Sequence, residues 1–393
     1  DNYQRITLDG NKDFGNGIAA RVAVMGHHNE KAGQDDGTEY KRAGIAPSIT
    51  FGLDTPTRAT LAYYYLKSDD TPDSGVPYQY DTVKKATVGK PVDVKQGVYY
   101  GWLDRDFQKQ ENQSGTLKLE HDLTDNLTIS NIAVYNKSKN NYLWTQPDDS
   151  QGNIVNGEVW RRLNTNLTST DSFTDQLALT GKFNTGAFKH KFNVGAEYAK
   201  QDSDRGGNLV TDPNTSKIGG SSSNNNANNA CSLTNSNGWC TDLNNPNSRD
   251  PWLGSITANP DVMNITSTTQ SIYALDNIEI TPQWLLDVGV RWDKFETEMD
   301  YKKDNGAIKA GTNYSSDNDF FNYQAGVTFK PTENSSIYAS FATSANPVGV
   351  DAGDGSEGIS VPGRNTTDEQ ARAINNLKPE EVKTYEIGTK WDV

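Results

Sequence analysis

Leu285-Leu286-Asp287-Val288-Gly289-Val290-Arg291-Trp292-Asp293 is the stretch whose period decides the fold. Leu286, Val288, Val290 and Trp292 fall on one face of an extended chain, while Asp287, Gly289, Arg291 and Asp293 fall on the other. The same period of two separates Phe192, Val194, Ala196 and Tyr198 from Lys191, Asn193, Gly195 and Glu197. It recurs where Tyr323, Ala325, Val327 and Phe329 alternate with Asn322, Gln324, Gly326 and Thr328. One apolar and one wet face over roughly ten residues is what a barrel strand between lipid and a watery lumen requires. A sandwich with one solvated face requires it too.

Connection lengths separate the two architectures. Short turns stand at Leu53 to Thr57, Leu123 to Asn126, Asn184 to Ala187, Thr281 to Gln283 and Pro331 to Asn334, with the Gly, Pro, Asn or Asp chemistry of turns. Between them run long polar excursions: Lys67 to Gln110, Lys137 to Thr170, Gln201 to Ser267, Met299 to Asn318 and Thr343 to Glu381. Loops of that length are uncommon in compact soluble domains. Short turns on one rim and long loops on the other are the layout of a bacterial barrel with periplasmic and extracellular ends. The expectation is an all-β chain, a transmembrane antiparallel β-barrel with residues 1–393 as one partial barrel domain.

Strands are expected to start near Tyr3, Ile18, Arg42, Arg58, Gly115, Leu127, Asp171, Lys189, Thr269, Leu285, Asp319, Ser336 and Val382. That count is odd, whereas single-chain bacterial barrels use an even number. The opening Asp1-Asn2-Tyr3-Gln4 already reads as strand rather than as a signal peptide. The chain is therefore expected to be a piece that does not close by itself.

Composition agrees with this reading. Of 393 residues only 34% are hydrophobic, the mean hydropathy is −0.77, and no run approaches the length of a membrane-spanning helix. A barrel tolerates low hydropathy because only alternate strand residues meet lipid. Tyr63, Tyr64, Tyr65, Tyr135, Trp284, Trp292 and Trp391 stand near strand ends, where interfacial girdles need rings; the plainer reading is that aromatics are good β formers. A net charge of −14 argues against nucleic acid as a partner.

Cys231 and Cys240 are the only cysteines and fall in the Asn/Ser-rich excursion that contains Ser221 to Ala230. A disulfide pinning that loop is expected, since two cysteines in a polar exposed segment fit an oxidising compartment. No second cysteine pair and no nearby histidine completes a zinc set. His27 and His28 are adjacent on a strand and so point to opposite faces, which leaves no metal site there. Asp104, Asp106, Asp148 and Asp149 lack the spacing of a calcium loop. Gly353 and Gly355 lie in polar loop rather than between strand and helix. No catalytic constellation is legible, and neither a metal nor a cofactor is expected.

The chain resembles the TonB-dependent siderophore receptors of the catecholate type. Thr71-Pro72-Asp73-Ser74-Gly75-Val76-Pro77, just beyond Tyr63-Tyr64-Tyr65, carries the likeness, with Ala20-Arg21-Val22-Ala23-Val24-Met25-Gly26, Ile45-Ala46-Pro47-Ser48-Ile49-Thr50-Phe51-Gly52-Leu53, and Leu377-Lys378-Pro379-Glu380 leading to Tyr385-Glu386-Ile387-Gly388-Thr389-Lys390-Trp391. The resemblance implies a 22-stranded barrel filled by an N-terminal plug. Of this the chain looks like the second to the fourteenth strand, with plug and last strands missing. It also implies a Gram-negative outer membrane, contact with its lipid and lipopolysaccharide, a ferric siderophore as cargo, and energy from a TonB complex through an N-terminal region absent here.

A ferric catecholate is anionic and rimmed by rings, so its receptor should present cations and stacking surfaces. Tyr99, Tyr100, Trp102 and Arg105 in the first long excursion, and Tyr142, Trp144, Trp160, Arg161 and Arg162 in the next, offer such groups. The bland alternative is that these rings pack loop against loop while the arginines answer the acidic surplus.

Two other functions compete. A passive porin would use lumen charges such as Arg21, Lys118, Lys191 and Arg291 to line an open pore. A soluble secreted β protein, adhesin or carbohydrate-active enzyme, would show more uniform turn spacing.

Overall fold

The computed structural model describes residues 2–34, 37–148, 152–211, 218–219, 231, 239–305, 308–347 and 378–392. Strands β1 (Gln4–Gly15), β2 (Ile18–Glu30), β3 (Glu39–Phe51) and β4 (Thr57–Asp70) lead to a small hairpin, β5 (Tyr78–Asp81) and β6 (Ala86–Pro91). There follow β7 (Phe107–Thr124), β8 (Leu127–Asp148), a 3-10 turn at Asn153–Asn156, β9 (Glu158–Thr185), β10 (Phe188–Thr211), and the short β11 (Ile218–Gly219) and β12 (Cys240–Asp242). The last are β13 (Ser255–Thr281), β14 (Trp284–Tyr301), β15 (Asn313–Thr332), β16 (Ser335–Asn346) and β17 (Glu380–Trp391).

One antiparallel meander runs β1-β2-β3-β4-β7-β8-β9-β10-β13-β14-β15-β16-β17, the thirteen strands expected. β11 pairs with β10 and β12 with β9, while β5 and β6 form a separate hairpin. Among the described residues β1 and β17 are not paired with each other.

Register carries the alternation from strand to strand. Ala196, Ile272, Trp292 and Phe321 lie side by side across β10, β13, β14 and β15, and Gly195, Tyr273, Arg291 and Asn322 form the adjacent row. Neighbours along a strand point to opposite faces, so the two rows lie on opposite sides of the sheet. The first side is bare, with Ile272 59% and Phe321 63% exposed. Water would forfeit roughly 1.5–3 kcal/mol for each such side chain, a cost that lipid removes. The second side is polar: Arg291 reaches Glu197 at 2.9 Å, Asp293 at 2.8 Å and Ser271 at 2.7 Å. It is the lumen side.

Rings stand on the lipid side at two levels. Tyr63, Tyr135, Phe173, Tyr198, Trp292 and Phe321 lie toward the loop ends, and Phe51, Phe183, Trp284, Phe329 and Trp391 toward the turn ends. From Trp284 to Trp292 the chain rises about 27 Å along the strand, enough for the hydrocarbon layer once tilted. Tyr64 departs from the expected girdle: it pairs with Ser114 in the register that sets Ala62 against Thr116, which turns it to the lumen. Of the lumen charges, Arg21 pairs with Asp9, Lys118 with Glu120, and Arg291 with Glu197 and Asp293.

The turn rim is tight. Gly52 has φ +76° and a Cβ there would stand 2.0 Å from the Thr57 carbonyl oxygen, so no other residue fits. Register shifts fall beside these turns, at Asp13/Gly15, Asp122/Thr124, Glu279/Thr281 and Phe329/Thr332, as bulged hairpins require.

The loop rim corrects three expected excursions. Most of Lys137 to Thr170 is paired strand, from Lys137 opposite Asp171 up to Asp148 opposite Trp160. β10 and β13 stay paired until Thr211 opposite Ser255, and β14 and β15 until Asp300 opposite Asn313, which shortens Gln201 to Ser267 and Met299 to Asn318. Above the lipid neither face must be apolar, so the hydropathy signal stops while backbone groups still need partners.

Candidate ligand-binding site

Two groups of side chains gather where the β8–β9 ladder rises beyond the upper rings. The first lies on the lumen side. Tyr142 stands opposite Asn166, Trp144 opposite Asn164 and Gln146 opposite Arg162. Counting by twos down β9 leads to Gln176, whose amide donates to the Tyr273 hydroxyl in the lumen row. Tyr142, Trp144 and Arg162 therefore share the lumen face. The Tyr142 and Trp144 rings stack with centroids 4.2 Å apart and planes 15° from parallel. The Arg162 guanidinium stands 4.0 Å from the buried Asp148 carboxylate and remains 31% exposed. A flat π surface with a solvent-reaching cation beside it can stack on a ring and pair with an anionic oxygen.

Sequence reasoning missed a second lumen-side pair. Arg42 stands opposite Ser68, Ser68 opposite Gln110, Gln110 opposite Asn140 and Asn140 opposite Thr168, which joins it to the same face. Its guanidinium lies 5.4 Å from the Tyr40 ring centroid and 3.1 Å from Asp70. Counting by twos from Ser48 through Ala46 and Gly44 to Arg42 and Tyr40 would have found them.

The second group is buried. Tyr99, Tyr100, Trp102, Arg105, Trp160 and Arg161 are each at most 4% exposed. Arg161 lies 3.8 Å over the Trp102 ring, and Arg105 lies within 5.7 Å of the Trp102, Trp239 and Trp252 rings. Trp160 stacks on Trp239 at 5.7 Å. Arg105 bonds Asp106 at 2.8 Å, and Asp106 also accepts from the backbone N–H groups of Trp102 at 3.0 Å and Thr145 at 2.8 Å. Arg161 bonds Asp250 at 2.8 Å. Burial pulls the Arg161 guanidinium down to about 10 against the pull of Asp250, so it stays a cation at neutral pH. Burial, with Asp242 nearby, pushes the Tyr100 phenol up to about 12, and its hydroxyl donates to the Leu243 carbonyl at 2.6 Å. Tyr99, also raised by burial, donates to the Pro72 carbonyl at 3.0 Å.

These six form the packing core between residues 99–106, 152–163 and 239–252, where their cations are answered by Asp106 and Asp250 and their rings by one another. Tyr142, Trp144 and Arg162 keep access to the lumen. Cys231 and Cys240 are joined by a disulfide, and the Cys231 N–H donates to Asn153 Oδ1 at 2.9 Å, tying a fourth point of the chain to the core.

His27 faces the lumen and bonds Asn29 at 2.6 Å, while His28 faces outward toward Glu39 at 3.6 Å. No group of three potential metal ligands is placed together among the described residues. Asp149, Gly353, Gly355 and the Ser221 to Ala230 tract lie outside the described residues.

The chain matches the family model described as TonB dependent receptor-like, beta-barrel, over residues 47–393. It belongs to that family. A TonB-dependent receptor barrel is an outer-membrane protein of Gram-negative bacteria. The chain is 59% identical over 394 residues to the probable TonB-dependent siderophore receptor PiuA of Acinetobacter baumannii, covering 100% of itself and 50% of that protein. The crystal structure of the siderophore receptor PiuA from Acinetobacter baumannii superposes with a TM-score of 0.88 at 58% identity, over 100% of this chain and 53% of that one. The closed form of the ferric-catecholate import receptor Fiu from Escherichia coli superposes with a TM-score of 0.78 at 27% identity, over 100% of this chain and 54% of that one. The chain spans about half the length of these relatives, which are receptors rather than enzymes.

Proposed function

We propose that the whole protein captures a ferric siderophore of the catecholate type at its extracellular end and imports it across the outer membrane with energy from a TonB complex. The observation that carries this reading is the lumen-side arrangement of stacked Tyr142 and Trp144 with Arg162 beside them. The catecholate rings stack on the indole and phenol, and the guanidinium pairs with the anionic oxygens. Arg42 and Tyr40, on β3 three strands along the sheet from β8, extend the same chemistry along the wall. The names of the relatives, a siderophore receptor and a ferric-catecholate import receptor, support the cargo class. The buried loop core supports capture by holding the strand ends rigid before the ligand arrives, which lowers the entropy cost of binding. Outer-membrane lipid and lipopolysaccharide meet the two levels of rings on the outer face.

The test is uptake of radiolabelled ferric siderophores, catecholate beside hydroxamate, in cells with and without the full-length gene, and with and without the proton-motive force. Gene- and energy-dependent uptake of a catecholate is expected. Gene-dependent uptake that ignores the proton-motive force would make the protein a passive channel, and no gene-dependent uptake of any iron complex would refute the siderophore reading.

A further inference from the structure

On the lipid side near the turn rim, three residues far apart in sequence form a hydrogen-bonded chain. Thr185 Oγ1 lies 2.6 Å from His190 Nε2, and His190 Nδ1 lies 2.7 Å from Asp276 Oδ2. Two strand pairings build it. His190 stands opposite Phe183 on β9 and opposite Ile278 on β13, which brings it beside Thr185 on one side and Asp276 on the other. Asp276 stands opposite Phe192 and Val288, both in the lipid-facing rows. The imidazole is covered by the Phe183 ring, nearly parallel at 4° with centroids 4.4 Å apart. Thr185 is exposed, at the turn that ends β9.

The chemistry of the three groups fixes their roles. A carboxylate only accepts, so His190 donates through Nδ1–H and keeps its lone pair on Nε2, where the Thr185 hydroxyl donates. The other Asp276 oxygen, Oδ1, is buried with no hydrogen-bond partner, so the imidazole is the partner toward which that carboxylate is turned. A hydroxyl on a base that is itself oriented by a carboxylate is the arrangement of an activated nucleophile. Phe183 belongs to the lower level of rings, and such rings mark the boundary between hydrocarbon and headgroups. That is the depth of the ester carbonyls of a glycerophospholipid, and short turns face the periplasmic leaflet, which is built of such lipids.

We infer that Thr185 is an acyl acceptor, activated by His190 and Asp276, that takes a fatty acyl group from a glycerophospholipid of the periplasmic leaflet. Thr185 Oγ1 attacks the ester carbonyl and its proton passes to His190 Nε2. The tetrahedral adduct collapses by breaking the bond to the glycerol oxygen, which leaves with the proton from His190. The products are an acyl ester on Thr185 and one lysophospholipid. The inference rests on the barrel and its orientation, not on the siderophore reading. General-base assistance contributes about 10²- to 10⁴-fold, so the expected outcome is stoichiometric modification rather than rapid turnover.

The experiment uses the full-length protein reconstituted in phosphatidylethanolamine vesicles with deuterated acyl chains, followed by mass spectrometry of the β9–β10 hairpin peptide and of released lysolipid. A deuterated acyl adduct on Thr185, matched one to one by lysolipid, is expected. T185S should keep it, T185V should abolish it, and H190N and D276N should each slow it by at least about 10²-fold, the lower end of the general-base range, with the folded barrel intact by gel mobility. A purely structural hydrogen-bonded chain yields no adduct, and that result overturns the inference. An adduct formed equally fast in both H190N and D276N overturns it too.

Discussion

Removing the Arg105 guanidinium should release the loop core while leaving the barrel untouched. Arg105 and Asp106 form an ion pair in which both side chains are 0% exposed. Arg105 also donates to Thr145 Oγ1 at 2.7 Å and lies near three indole rings. Arg105→Ala strands the Asp106 carboxylate in a dry site, and losing one partner of such a pair costs about 3–5 kcal/mol. That energy ties the loops to the top of β8 and β9 and reaches none of β13–β15, so the loss is local. With 1.36 kcal/mol for each factor of ten, local opening should become about 10²- to 10⁴-fold more frequent. Amide hydrogen exchange of the full-length protein in lipid nanodiscs reads this directly. Exchange should accelerate by that factor at residues 99–106 and 239–252 and stay unchanged in β13–β15. Arg105→Met, which keeps the aliphatic stem, should behave alike because the stranded carboxylate dominates. An acceleration below threefold, or an equal acceleration in β13–β15, would refute the reasoning.

Other outcomes follow from the same geometry. Trp144→Ala should weaken binding of a ferric catecholate by about 3- to 10-fold, from the 0.5–1.5 kcal/mol of a stacked pair, whereas Arg162→Ala should cost about 10- to 100-fold if its hydrogen bonds are charge-assisted; both are read by titration calorimetry of the full-length receptor. Asp73 is disfavoured as a carboxylate by burial, yet hydrogen bonds from Lys31, the Gly75 N–H and Gln34 hold it below its usual value of 3.8. Its folded value is the lower one, so its contribution is complete above 3.8 and disappears as pH falls through that lower value; exchange at Gly75 should accelerate only in that acid window, and Asp73→Asn should remove the pH dependence. Reducing the Cys231–Cys240 disulfide, which spans 9 positions, should cost the loop at most about 2.7 kcal/mol by loop-closure entropy, read as faster exchange at Trp239 and Thr241 with β13–β15 unaffected.

How much the sequence disclosed depended on whether lipid was present to write the code. Strand starts beside short turns were legible almost to the residue: Ile18 and Leu127 are the observed starts of β2 and β8, and Lys189, Leu285 and Ser336 miss theirs by one. Starts on the loop side came late, Gly115 for a strand that begins at Phe107 and Asp171 for one that begins at Glu158. The extra residues, Thr165, Asn166 and Thr168 among them, alternate without an apolar face because nothing apolar lies outside. The same gap hid the division of the ligand candidates. Tyr142-Leu143-Trp144 and Trp160-Arg161-Arg162 both read as rings and cations in a polar setting; register turns Tyr142, Trp144 and Arg162 to the lumen and Arg161 to the other face, while Trp160, in the same row as Arg162, is buried only because Trp239 stacks on it. Tyr64 escapes the sequence reading for a related reason: three consecutive tyrosines carry no alternation to read.

The three extracellular stretches that share the Trp102, Trp160, Trp239 and Trp252 cluster cannot be inherited separately. A single loop transplanted from a relative would arrive without its indoles' neighbours and leave Arg105 or Arg161 facing a cavity. Diversification of this receptor's outer surface, by recombination or by an engineer grafting epitopes, is therefore constrained to exchange all three stretches together or to vary only exposed residues outside them, such as Val83 and Leu253.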